Sequence, residues 1–289
     1  MKALSLFLFL SVCNFAAWAQ PKPIRLIVRG DDMGYAHTGN EALLKAYKEG
    51  IQTSIEILVP SPWFPEAVKM LQQNPDADVG IHLTLTSEWD HVKWRPLTTA
   101  ASLRDRDGYF YPMIQPNSNY PGLAVTENAW QLADIEKEFR AQIELALKKI
   151  PRISHVSGHM GCTAFSEEVK NLTKKLALEY NIHIDPKEHQ VTSVTYEGPK
   201  QTAAEKKQSF LNMLQKLEAG KTYIFVDHPG LDSDEIRGIS HIGYEQVAID
   251  RQGVTDVFTN PEVKAFIRQK NIQLISYKDL VSVKKPATK

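Results

Sequence analysis

The sequence predicts an α/β fold in which a parallel sheet, with its helices outside, rolls toward a barrel. Three observations predict it. Short apolar runs alternate with amphipathic stretches along the chain, and strand-then-helix order is the pattern of parallel βαβ units. Aspartates and histidines fall at the ends of several of these runs, where parallel α/β folds gather their functional groups. The chain has 289 residues, long for one ordinary core but normal for an α/β barrel. The sequence carries no sign of a second domain, an internal repeat or a low-complexity segment.

The first residues stand apart from this pattern. Met1-Lys2 gives a short positive start, Leu4 to Val12 is apolar, and Ala17-Trp18-Ala19 is a small-residue cleavage site before Gln20. That layout is a secretory signal peptide over residues 1–19. The apolar stretch is too short to span a bilayer stably. The expectation is an exported chain, periplasmic or secreted, with residues 20–289 forming one barrel domain.

Within that domain, Ile24–Val28 reads as a buried strand ending at Gly30-Asp31-Asp32. Asn40–Glu49 reads as a helix closed by Gly50 at its C′ position. Ile55–Val59 is the next strand, and Pro65–Gln73 a helix whose proline suits a first turn. Val79–Leu85 is a third strand. Residues 87–125 then break the rhythm with Trp89, Trp94, Tyr109, Tyr111 and several prolines. A loop this long is often functional. Its aromatics can stack on sugar rings or form a packed lid, and the sequence leaves both open.

From Glu127 to Lys149, apolar residues at helical spacing bury one face of a long helix. Ile153–Val156 is a strand running into Ser157-Gly158-His159. Ser166 is an N-cap for a helix to Tyr180, with Glu167 and Glu168 in its first turn. Ile182–Ile184 and Val191–Tyr196 are weaker strand candidates. A helix carrying Phe210, Leu214 and Leu217 ends at Gly220. Tyr223–Val226 is a strand leading to Asp227-His228-Pro229-Gly230. Helices around Tyr244–Asp250 and Pro261–Lys270 precede a last strand at Gln273–Ser276, and the tail from Ser282 is polar.

Composition narrows the function. Formal net charge is zero, so no global field recruits nucleic acid or anionic lipid. The two cysteines are Cys13 and Cys162. Removal of the leader leaves Cys162 alone, so no intramolecular disulfide forms.

The chemistry rests on Asp31, Asp32, His82, His155, His159 and His228. Adjacent carboxylates on an extended segment point in opposite directions, but in a turn both reach one centre. Metal-assisted hydrolysis can use two carboxylate roles, one holding a metal and one taking a proton from water. The same pair can instead cap the next helix. His82 in an apolar strand is either a ligand or a satisfied core residue. His155 and His159 form an H-x-x-x-H spacing, a good metal pair on a helix. Here it runs from strand to loop, so only one of the two need reach a metal.

These residues carry a resemblance. The stretches Ile24–Gly34 through Asn40, Gly50–Ser54, Gly80–Leu85, Ser154–His159 and Asp227–Gly230 resemble, in order, the YdjC-like carbohydrate deacetylases, which include a deacetylase of N-acetylated chitooligosaccharides. The resemblance implies a single-domain, distorted (β/α) barrel of the glycoside deacetylase type. It implies Asp31 as general base, Asp32, His82 and His159 as metal ligands, and His228 as general acid. His155, Trp89 and Trp94 are implied or candidate residues behind the site or toward the substrate. The cofactor expected is a divalent metal ion, zinc or magnesium. Two positions depart from the family stretch H-x-D-x-H-x-H: Ser157 stands at the acid and Gly161 at the last histidine.

The expected reaction is metal-dependent hydrolysis of an N-acetyl group on a sugar or oligosaccharide, with release of acetate. A carbohydrate O-acetyl esterase, another small-amide hydrolase and a non-catalytic glycan-binding protein are the alternatives. No nucleic-acid partner and no stable membrane insertion are expected, and the sequence is silent on oligomeric state.

Overall fold

This computed structural model describes residues 22–281. The leader expected over residues 1–19, with Cys13, and the tail from Ser282 lie outside the described residues. Among the described residues no helix is long and apolar enough to cross a membrane.

The chain runs β1 (Ile24–Met33), α1 (His37–Glu49), β2 (Ser54–Ile57), α2 (Phe64–Gln72) and β3 (Asp78–Leu83). It continues through α3 (Leu132–Lys149), β4 (His155–Gly158), α4 (Glu167–Glu179), β5 (Thr192–Val194), α5 (Ala203–Lys216) and β6 (Thr222–Asp227). It closes with α6 (Asp234–Arg237), α7 (Val247–Thr259), α8 (Pro261–Gln269), β7 (Ile272–Leu274) and α9 (Lys278–Val281).

One parallel sheet has the order β4-β3-β2-β1-β6-β5, and β7 joins β1. β1 is long enough for β7 to pair with its first residues, Ile24–Leu26, and β2 with its last, Arg29–Met33. The sheet curls into a distorted half-barrel, as the sequence predicts. β4 and β5 are its two ends. A cavity of about 610 Å³ lies along that seam, lined by Val156 and Ser157 of β4, Ser193 of β5 and Val226 of β6.

The alternation of side chains along β1 sets the two sides. Leu26 and Val28 face outward against Phe210 of α5 and Phe258 of α7. Ile27 faces inward with Ile224, Ile275 and Tyr277. A strand buried on both faces lacks polar alternation there, and the centre of β1, Leu26–Val28, reads accordingly as an apolar run.

Several elements differ from the sequence expectation. β1 runs on through the two aspartates to Met33, so they lie within the strand. α1 starts three residues before Asn40, without a local side-chain cap. Its first N–H groups, of His37 and Thr38, donate instead to the Glu235 carboxylate at 2.9 Å each. Gly50 is not left-handed (φ −113°). It is needed because a Cβ there would meet Phe258 O at 2.4 Å. Ile182–Ile184 forms no strand, and α7 extends nine residues beyond Asp250, through Gly253.

Residues 87–125 contain two 3-10 turns, Ala101–Leu103 and the start of Val125–Glu127. The segment is fastened to α3 by Glu138, whose carboxylate accepts from Leu97 N, Thr98 N and Thr98 Oγ1 at 2.7–3.0 Å. A fully buried carboxylate is tolerated because these donors satisfy it.

Candidate active site

Strict alternation would send Asp31 inward and Asp32 outward. Two irregularities prevent that. The β1–β2 register shifts between Gly30 and Met33, as at a β-bulge, and Asp32 has a positive φ of 72°. Aspartate is one of the few non-glycine residues that adopts this conformation readily. A bulge re-aims side chains at functional sites. Here it turns both carboxylates to one centre, so the turn expected after the strand is a kink inside it.

His82 lies near the end of β3, and His159 follows directly on β4. Asp32, His82 and His159 are buried, and each offers one ligand atom within 4.8 Å of the others. His82 Nε2 is 3.5 Å, and His159 Nδ1 3.2 Å, from Asp32 Oδ1. That oxygen is buried and accepts no hydrogen bond. An unsatisfied buried carboxylate oxygen is costly, and a cation removes the cost.

The far nitrogens of both rings are already engaged. His159 Nε2 is 2.9 Å from Glu88 Oε2, and His82 Nδ1 is 2.7 Å from Ser157 Oγ. Fixing the outer nitrogen in this way orients a histidine ligand and sets its tautomer. The donor set therefore fits a metal ion.

The electrostatics agree. Burial pushes the His82 imidazole down, toward the neutral form a ligand needs. Burial opposes charge at Asp32, yet His228, His159 and Arg251 hold its carboxyl well below the usual carboxylate range. His159 is also buried, but Glu88 and Asp32 hold it up at about 10. A position that draws a proton this strongly draws positive charge, and a metal ion can supply it in the proton's place.

Two arginines hold the aspartates. Arg29 grips Asp31 through both oxygens, at 2.7 and 2.8 Å. Arg251 of α7 donates to Asp32 Oδ2 at 2.8 Å. His228, just past β6, has its Nε2 3.8 Å from the same oxygen. Its side chain is 39% exposed, so the ring stands at the open side of the centre. Behind it, Asp227 Oδ1 is 3.5 Å from Nδ1. Desolvation works against charge on this ring, but Asp32 and Asp227 raise it above its ordinary range.

His155 is fully buried and faces no substrate. It stacks on Tyr277 with centroids 3.4 Å apart, and its Nε2 lies 2.6 Å from Glu56 Oε1. Of the H-x-x-x-H pair, only His159 reaches Asp32. Of the two readings that the sequence left open for Trp89 and Trp94, the packed lid fits the structure: both are buried and present no open ring face to a sugar. Trp89 packs between Tyr35, His241 and the Arg251 guanidinium. Trp94 donates from Nε1 to Thr86 O at 2.8 Å. Their size and apolarity favoured the core over the surface.

Glu56, Glu88, Arg29 and Arg251 were not found from the sequence. Glu56 had a signal, a charge inside the apolar run Ile55–Leu58. So did Arg251, which shares a helix face with Val247, Val254 and Phe258. A charge on a buried face must be paired.

With this geometry in view, known proteins can be compared. Residues 25–269 match the family described as YdjC-like protein. A protein named carbohydrate deacetylase from Clostridium beijerinckii is 30% identical over 271 residues, covering 89% of this chain and 100% of the relative. Carbohydrate deacetylase 2 from Listeria innocua is 26% identical over 267 residues, covering 89% and 99%. A solved structure from Enterococcus faecalis, of a protein named for cellobiose-phosphate cleavage, superposes with a TM-score of 0.68 at 22% identity, covering 90% and 99%. That likeness concerns the fold. The family match spans β1 through α8 and includes every strand that delivers a residue to the centre, and this chain belongs to the YdjC-like protein family.

Proposed function

We propose that this protein is an exported, metal-dependent carbohydrate deacetylase that hydrolyses the N-acetyl group of a sugar or oligosaccharide. The observation that carries the reading is the buried Asp32 Oδ1, which accepts no hydrogen bond and faces His82 Nε2 and His159 Nδ1. Relatives over almost the whole chain bear the name carbohydrate deacetylase, which supports the substrate class.

Asp32, His82 and His159 would hold the ion. One carboxylate and two imidazoles suit zinc, nickel or cobalt better than magnesium. When bound, such an ion supplies Lewis acidity to a carbonyl oxygen and acidifies water. Asp31, its plane fixed by Arg29, takes the proton from the attacking water. His228, at the open side, gives a proton to the departing nitrogen, because an amine leaves poorly without one. Arg251 keeps Asp32 Oδ2 occupied, so Oδ1 remains free for the ion.

The test is metal content together with acetate release from a panel of N- and O-acetylated saccharides. The expected result is about one divalent ion per chain, as a three-ligand site requires, with acetate released from N-acetylated members. Acetate from O-acetyl esters alone would make the protein an esterase. No acetate from any member would contradict the deacetylase reading.

A further inference from the structure

Beneath the candidate centre, the inner side of the sheet carries a row of polar groups that the reaction above does not use. Glu56 of β2, Gly80 of β3 and His155 of β4 are register neighbours. One step toward the strand ends, His82 pairs with Ser157. Glu56 is fully buried. It reaches across Gly80 to His155 and also takes the hydroxyl hydrogen of Ser157. Gly80 makes this possible, because a Cβ there would lie 2.3 Å from Glu56 Oε2 and 2.4 Å from His155 Nε2.

The donor and acceptor inventory fixes the rest. An ionised carboxylate only accepts, and a serine hydroxyl has one hydrogen to give. Ser157 gives that hydrogen to Glu56, so its lone pair must accept from His82 Nδ1, 2.7 Å away. His82 then carries its proton on Nδ1, and Nε2 presents a lone pair toward Asp32. The same unit recurs one layer below. Asp78 Oδ1 accepts from Ser154 Oγ at 2.9 Å, and Ser154 Oγ lies 2.8 Å from His155 Nδ1.

We propose that Glu56 is the positioning residue for His82: acting through the Ser157 hydroxyl, it sets the ring's tautomer and turns Nε2 toward Asp32. The role deepens the metal reading and rests on it. Glu56 touches neither substrate nor ion. It acts on the centre as the carboxylate partner of a histidine ligand does, with one hydroxyl interposed.

The experiment combines ¹⁵N NMR of the histidine rings in metal-free wild-type protein with zinc titration calorimetry of wild type, Glu56→Gln and Glu56→Gln/Ser157→Asp. The wild-type spectrum should show His82 protonated on Nδ1. Glu56→Gln should weaken zinc binding by about ten- to a hundredfold, the range for partners of a ligand. Adding Ser157→Asp should restore most of the lost affinity, because a carboxylate again faces Nδ1. A merely structural role for Glu56 would not be rescued from position 157. A wild-type His82 protonated on Nε2 overturns the proposal whether or not the variants fold. So does a Glu56→Gln protein that binds zinc like wild type, or a double variant no better than the single one. Wild-type protein that binds no zinc but shows the Nδ1–H tautomer overturns the metal reading and leaves the Glu56 contact standing.

Discussion

Arg251 Nη2 lies 2.8 Å from Asp32 Oδ2, and both side chains are buried. The pair leaves Asp32 with one oxygen satisfied and one directed at two histidines. Its guanidinium sits 4.4 Å from the Tyr35 ring centroid and 5.2 Å from that of Trp89, so the cation is held by packing as well as by charge. Arg251→Leu removes one member of a buried pair and strands the other. The expected loss of stability is about 3–5 kcal/mol, read by denaturant unfolding. A midpoint unchanged from wild type would mean that Asp32 does not need this partner.

Gly80 is the narrow point of the inner network. Gly80→Ala places a methyl group where Glu56 and His155 meet. The two side chains must part, and a buried polar group left without its partner costs about 1–3 kcal/mol. Thermal unfolding should show the loss. If Gly80→Ala is as stable as wild type, Glu56 and His155 have room that the geometry does not show.

Trp94 is expected to act on stability rather than on substrate binding. It is buried, and its indole nitrogen is tied to the Thr86 carbonyl. Trp94→Ala should lower stability by about 3–5 kcal/mol, as large-to-small core changes do, with KM unchanged at temperatures where the variant is folded. A stable variant with a raised KM would return Trp94 to the sugar.

Much of this site was legible in the sequence because its candidate ligands end apolar runs. The parallel sheet, the Ser166 cap and the clustering of Asp31, Asp32, His82, His159 and His228 all follow from local pattern. What was hidden depends on register. No periodicity reveals that Asp32 turns inward at a bulge. Nor does any show that Glu235 caps α1 from 198 residues away, or that Glu56 meets Ser157 across β3. The two tryptophans show a choice that local pattern leaves open: a loop rich in aromatics can stack on sugar or form a packed lid, and here Trp89 and Trp94 are buried. A charge on an otherwise apolar strand or helix face, as at Glu56 and Arg251, was a signal that sequence reasoning alone could have followed.

The central claim gives two adjacent, chemically identical residues different work, and comparing Asp31→Asn with Asp32→Asn tests it most directly. Asp32 offers its free Oδ1 to the ion, whereas Asp31 is gripped by Arg29 beside it. Metal content and acetate release should be measured on both purified variants. Asp32→Asn should lose metal and turnover together, with partial recovery in excess metal. Asp31→Asn should keep its metal and still lose about a hundredfold to ten-thousandfold in rate, the usual effect of removing a general base, with no recovery in excess metal. A metal-free Asp31→Asn beside a metal-loaded Asp32→Asn would reverse the two roles, and near-normal activity in both would contradict the two-carboxylate account.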